Sequence, residues 1–227
     1  MIMLLGIVMT AAMSGLLSAC APNVGQRTMA GVISYESGWK PWSVGDNTAK
    51  RSYVYGNQAQ AISKARELLD LGHDIDTGLA QINSSNFRGY GLTPENVFDP
   101  CTNVKIGADI LAGAYRGAYR RNWIGRPIRN TSDLYMQQQY ALVHALSAYN
   151  SGGYWASMKY AGNVYDIALG VREGFSRVEE PQVRSVVASE PTIRTMAQKI
   201  IVTHKTTPSA ASILVNGTTE NWSTRNP

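Results

Sequence analysis

The segment TMAGVISYESG, residues 28–38, carries Met29, Val32, Ile33 and Glu36 at three-and-four spacing, which is the period of one helix face. Thr28 is positioned to cap the start of that helix. Ser37-Gly38, followed by Lys40-Pro41, ends it, because glycine releases the backbone into a turn and proline cannot continue the ladder. The reading is a short buried helix with a carboxylate, Glu36, at its C-terminal end, facing an irregular loop.

Outward from this segment the same period recurs. Ala61, Ile62, Ala65, Leu68 and Leu69 mark a helix between Asn57 and Gly72. Ile106, Ile110, Leu111, Ala114 and Ala118 mark another, with Asn103 as its cap. A fourth runs through Leu134, Ala141, Leu142, Ala145 and Leu146, capped by Thr131 or Ser132 and ended by Gly152-Gly153. Weaker helical stretches are predicted over 164–172 and 191–204, the latter with Pro191 in its first turn. No strand run or internal repeat stands out. The fold class predicted is mainly α: one domain over 20–175, large enough to bury a core without metal or dense disulfides, with irregular loops around the Glu36 region.

The ends read differently. Residues 1–19 are apolar and small throughout and contain no charged side chain, which predicts a signal peptide; the rival reading is an apolar first helix. Export to the periplasm or cell envelope follows from the first. Residues 176–227 read as a helical extension and, from Lys205, a disordered tail rich in Thr, Ser and Asn, a segment suited to ordering on a partner. The two cysteines, Cys20 and Cys101, allow two readings. Leu17-Ser18-Ala19-Cys20 has the form of a lipoprotein box, whereas an even cysteine count in an exported chain suggests a bridge.

The formal net charge of +5 favours an anionic partner. Arg116, Arg120, Arg121, Arg126 and Arg129 cluster in sequence, but no nucleic-acid motif accompanies them and nucleic acid is not predicted. His73, His144 and His204 lack metal-ligand spacing, so neither metal nor cofactor is predicted.

Three segments are not what a helical core would choose: ESGWKPWSVGDN at 36–47, GLAQIN at 78–83 and AYNSG at 148–152. Their order and spacing resemble the goose-type lysozyme and soluble lytic transglycosylase superfamily, and more closely the VirB1-like lytic transglycosylases of type IV secretion and conjugation systems. Cys20-Ala21-Pro22-x-Val24, DTGLAQIN, Gly91-Leu92-Thr93, FDPCTN at 98–103 and Asn163 to Tyr165 extend the resemblance over roughly residues 20–170. It implies a lysozyme-like domain and a disulfide between Cys20 and Cys101, since both cysteines fall inside matched motifs.

The resemblance also implies the chemistry. Glycoside cleavage ordinarily uses two carboxylates. Here Glu36 is the one good candidate, because Asp46, Asp74 and Asp76 lie outside the family's catalytic pattern. A single acid suffices if the substrate supplies the nucleophile. Glu36 would protonate the oxygen between N-acetylmuramic acid and N-acetylglucosamine, then accept the proton of the muramic C6 hydroxyl as the 1,6-anhydro ring closes. Such an acid needs an apolar site that raises its pKa. Tyr149 is expected to donate a hydrogen bond to it.

Ser37 would fix the turn that aims Glu36, and Gly78 and Leu79 would let the backbone approach a sugar. Gln81, Asn83 and Asn150 would bind its N-acetyl and hydroxyl groups, and Trp39, Trp42 and Tyr165 would stack on sugar faces. Trp42-Ser43-Val44-Gly45-Asp46-Asn47 departs from the subgroup's pattern. Asp46 within a few Å of the acid would raise its pKa, or position a water and permit hydrolysis. The implied partners are peptidoglycan glycan strands and components of a secretion or conjugation apparatus. The rival functions are a lysozyme-type hydrolase and a non-catalytic wall-binding module.

Overall fold

The computed structural model describes residues 8–123 and 129–173. The predicted helix over 191–204, the tail, and the first seven residues of the predicted leader lie outside them. After a two-residue strand β1 (Val8–Met9) come helices α1 (Ala11–Cys20) and α2 (Gln26–Glu36). A β-rich stretch follows: β2 (Ser43–Asp46), β3 (Arg51–Val54), helix α3 (Gln58–Asp70), β4 (Ile75–Thr77) and β5 (Ile82–Asn83). Two short helices, α4 (Phe87–Tyr90) and α5 (Pro94–Val97), lead to the long α6 (Pro100–Trp123), then α7 (Thr131–Ser151), α8 (Met158–Gly170) and β6 (Arg172–Glu173), which pairs parallel with β1.

Helix α6 packs along α7, α8 packs on both α7 and α2, and α1 lies against α6. The core is built from Leu17, Met29, Val32, Ile33, Ile82, Phe98, Leu111, Leu146 and Val164, all at most 1% exposed. Each such side chain stabilises the fold by about 1.5–3 kcal/mol relative to leaving it in water. No described helix is long and apolar enough to cross a membrane.

The mainly helical expectation holds, but the predicted absence of strands does not. The loops around Glu36 contain a four-stranded antiparallel sheet in the order β3-β2-β4-β5. Its strands are two to four residues long. Three of the four residues of β2 are buried, so no inside-outside alternation shows in its sequence.

Several caps also move. Helix α2 starts at Gln26 rather than at Thr28, and α8 begins at Met158, more than one and a half turns before the predicted 164. Asn130, not Thr131 or Ser132, caps α7 by accepting from the Asp133 amide at 2.8 Å. Asp99 accepts from the Thr102 amide to cap α6, with Pro100 in the first turn, so Asn103 lies inside the helix.

The predicted leader contributes α1. Thr10 caps it by accepting from the Met13 amide, and Leu17 is fully buried. Cys20 at its end is bonded to Cys101 in the first turn of α6, closing a loop of 81 residues in sequence separation. The disulfide implied by the resemblance is therefore present, and Cys20 is not free for a lipid.

Candidate active site

Glu36 ends α2, and the chain turns away there through two residues with left-handed backbones, Gly38 at φ 58° and Trp39 at φ 65°. A tryptophan in that region is strained, and such strain persists where the surroundings over-determine it. The Trp39 indole donates to Ser34 Oγ at 2.8 Å, folding the turn back on the helix. The Ser37 hydroxyl and the Ser37 amide both donate to the Ile33 carbonyl, closing the helix end. These contacts fix the turn that follows Glu36.

Burial pushes the Glu36 carboxyl up to about 7; a hydrogen bond from Tyr160 works against the rise and the charge of Asp76 adds to it. The Tyr160 hydroxyl donates to Glu36 Oε1 at 2.5 Å, and its ring meets Tyr35 edge-on at 4.9 Å between centroids. The hydrogen bond expected from Tyr149 is thus made by Tyr160 on α8. Tyr149 donates instead to the Ala80 carbonyl at 2.7 Å. It stands close enough to both Glu36 and Asp76 that their charges add to the burial holding its hydroxyl protonated.

The 78–83 segment is held from below by Asn103, which is 1% exposed. Its Oδ1 accepts from the Ala80 amide at 2.7 Å, and its Nδ2 donates to the carbonyls of Thr77 and Val97, each at 2.9 Å. Gly78 has φ 78°, and a Cβ there would lie 2.3 Å from Asn103 Nδ2, so any other residue would break the clamp. Leu79 is buried under the turn.

Gln81, itself at φ 47°, turns its amide back to donate to the Gly78 carbonyl at 2.8 Å. Asn83 Nδ2 donates to Asp74 Oδ1 at 2.6 Å and to Asp76 Oδ1 at 2.9 Å, while its Oδ1 caps the turn that follows at Ser85. Asn150 donates to Ser157 Oγ at 2.7 Å near the end of α7.

Two expectations need correction. Tyr165 is 6% exposed and donates to the fully buried Gln139 Oε1 at 3.0 Å, so its ring is core and not a sugar platform. Asp46 is engaged elsewhere and is not among the groups acting on Glu36: it accepts from the amides of Ala49 and Thr48, and His73 Nδ1 lies 3.0 and 3.1 Å from its two oxygens. The Ala49 amide bond, ahead of His73, holds its carboxyl below the usual range. The carboxylate whose charge acts on Glu36 is Asp76.

Tyr160 and Asn103 are the residues sequence reasoning missed at this site. A tyrosine at helical spacing in α8 looks like core, and an asparagine near a helix start looks like a cap; only the packing of α8 on α2 and of α6 under the loop separates these roles. Among the described residues no group of acidic, histidine or cysteine side chains could hold a metal ion.

The sequence profile of the transglycosylase SLT domain matches residues 17–166. The chain belongs to the transglycosylase SLT domain family. Within that family it is 38% identical over 135 residues to protein virB1 of Agrobacterium fabrum, an alignment covering 60% of this chain and 49% of the relative. It is 33% identical over 140 residues to the type IV secretion system protein virB1 of Brucella abortus, covering 62% of this chain and 54% of the relative. The chain thus spans about half the length of the curated relatives it matches. No solved structure matches it significantly.

Proposed function

We propose that the chain is a peptidoglycan lytic transglycosylase that acts in the cell envelope and opens the wall locally for a type IV secretion or conjugation apparatus. The observation that carries this reading is Glu36: an acid at a helix end, its pKa pushed up to about 7 by burial and held by the Tyr160 hydroxyl. An acid with that pKa is about half protonated at neutral pH and can both give and take a proton.

Glu36 transfers its proton to the oxygen linking N-acetylmuramic acid to N-acetylglucosamine, and the bond from that oxygen to the muramic C1 breaks. The muramic C6 hydroxyl then attacks C1 and its proton passes to the Glu36 carboxylate. A 1,6-anhydro end forms, water is not consumed, and the acid is restored. Tyr160 orients the carboxyl through both steps. Tyr149 acts at one remove, by holding Ala80 and hence the turn that carries Gln81. Gln81 and Asn150 are the amides proposed to meet the sugar, and Ser37, Gly78 and Leu79 shape the backbone around it; Asn83 contributes through the acid it holds.

The test is mass spectrometry of muropeptides released from purified sacculi by the full chain and by Glu36→Gln. Anhydro-muropeptides from the wild type, with a loss of about 10²–10⁴-fold in the variant, are expected. Products with reducing ends would make the enzyme a hydrolase, and no products from either protein would make it a binding module.

A further inference from the structure

The sheet brings a second carboxylate to the site in a defined register. Gly45 pairs with Ser52 on one side and with Asp76 on the other, and Asp76 pairs with Asn83, so one row on one face reads Ser52, Gly45, Asp76, Asn83. The neighbours of Asp76 along β4, Ile75 and Thr77, are fully buried on the opposite face. Gly45 supplies no side chain to the row. A Cβ there would lie 3.2 Å from Gln81 Oε1 and 3.6 Å from the Asp76 Cβ, so the carboxamide of Gln81 occupies the space beside Asp76.

Both Asp76 oxygens are held: Asn47 Nδ2 donates to Oδ2 at 2.8 Å and Asn83 Nδ2 to Oδ1 at 2.9 Å. Donors on both oxygens favour the anion and fix its plane, where an acid meant to release a proton would be left freer. A half-buried carboxylate with two dedicated amides, beside the Gln81 carboxamide and with its charge acting on a second carboxyl from another element, is not what the core requires.

Resting on the transglycosylase reading, we propose that Asp76 is the second functional carboxylate of this site, an anion that stabilises the positive charge developing at the muramic C1 as Glu36 protonates the departing oxygen. It forms no covalent bond and exchanges no proton; its work is electrostatic, in a site partly shielded from water. The groups that face the pair are Tyr160 from α8, Tyr149 from α7 and Asp74, the residue before β4. Burial and Asp74 raise the Asp76 carboxyl, while Asn47 and Asn83 lower it. Asp76 ionises before Glu36, and its charge then helps keep the Glu36 proton in place.

The test compares wild type with Asp76→Asn in the full chain, following initial rates on purified sacculi against pH. The wild type is expected to show an acid limb, from Asp76, and a basic limb, from Glu36. The substitution should abolish the acid limb, move the basic limb to lower pH, and reduce kcat by about 10²–10³-fold with KM little changed. An unaltered profile, or a loss confined to KM, would overturn the proposal.

A carboxyl carbon-13 titration of ligand-free wild type gives a second reading that needs no substitution. The Glu36 resonance should show two inflections, the lower one coinciding with Asp76, and a single inflection would refute the pairing. A wild type that releases no muropeptide defeats the transglycosylase reading, while the titration still decides whether the two carboxylates act as a pair.

Discussion

Burial keeps the proton on Glu36, and the Tyr160 hydroxyl draws it off. A donor bonded to Oε1 favours the charged form, so it lowers a pKa that desolvation has raised. Tyr160→Phe removes that donor, and Glu36 then stays protonated to a higher pH. The basic limb of kcat/KM is expected to move up by about one pH unit, since a hydrogen bond to a charged group is worth roughly 1.5–3 kcal/mol and one pH unit about 1.4. Tyr149→Phe is the control. Its hydroxyl serves Ala80, so the limb should stay in place while KM rises as the turn loosens. A pH–rate series on both variants separates an acid's orienting partner from a loop's anchor.

Helix α1 is an element with two possible fates, leader or core. Its buried face argues for core. Leu17 is fully buried and the helix ends in a disulfide to α6, so removal up to residue 19 would take away packed surface as well as one end of the tether's support. Leu17→Ala is expected to cost about 2–5 kcal/mol, read as a lower melting temperature of the purified full chain; an unchanged melting temperature would mean that α1 adds no packing to the fold. The helices were legible in sequence because eleven to twenty-four residues give the 3.6 period room to repeat, as in α2 and α6. The sheet was not, because two-residue β5 has no period at all. At the site, Glu36 was legible from its helix end and following turn. Its partners were not: Tyr160 lies 124 residues away and Asp76 40 residues away in sequence, and nothing in either local pattern says which residue of Tyr149 and Tyr160, or of Asp46 and Asp76, reaches the acid.

Taken across the molecule, the acid is a liability to stability. A carboxyl near 4.5 when unfolded and near 7 when folded binds its proton more tightly in the native state. The native state is therefore not penalised below pH 4.5, loses stability as pH rises from 4.5 to 7, and carries the full penalty above that, at most roughly 3 kcal/mol. Glu36→Gln relieves the penalty. Its melting temperature should match the wild type at pH 4 and exceed it at pH 8, a divergence that calorimetry at the two pH values would detect; parallel curves would place the Glu36 pKa near its unfolded value. The disulfide works in the opposite sense. Cys101 lies two residues before Asn103, the residue that clamps the 78–83 turn, so the bond formed at Cys20 anchors the foot of that clamp. Thiols stay reduced where proteins are made and oxidise once outside. In the exported role proposed above, the bond closes only on the oxidising side of the membrane, where it ties the start of α6, and with it the Asn103 clamp, to α1: a latch set by compartment and not by a ligand.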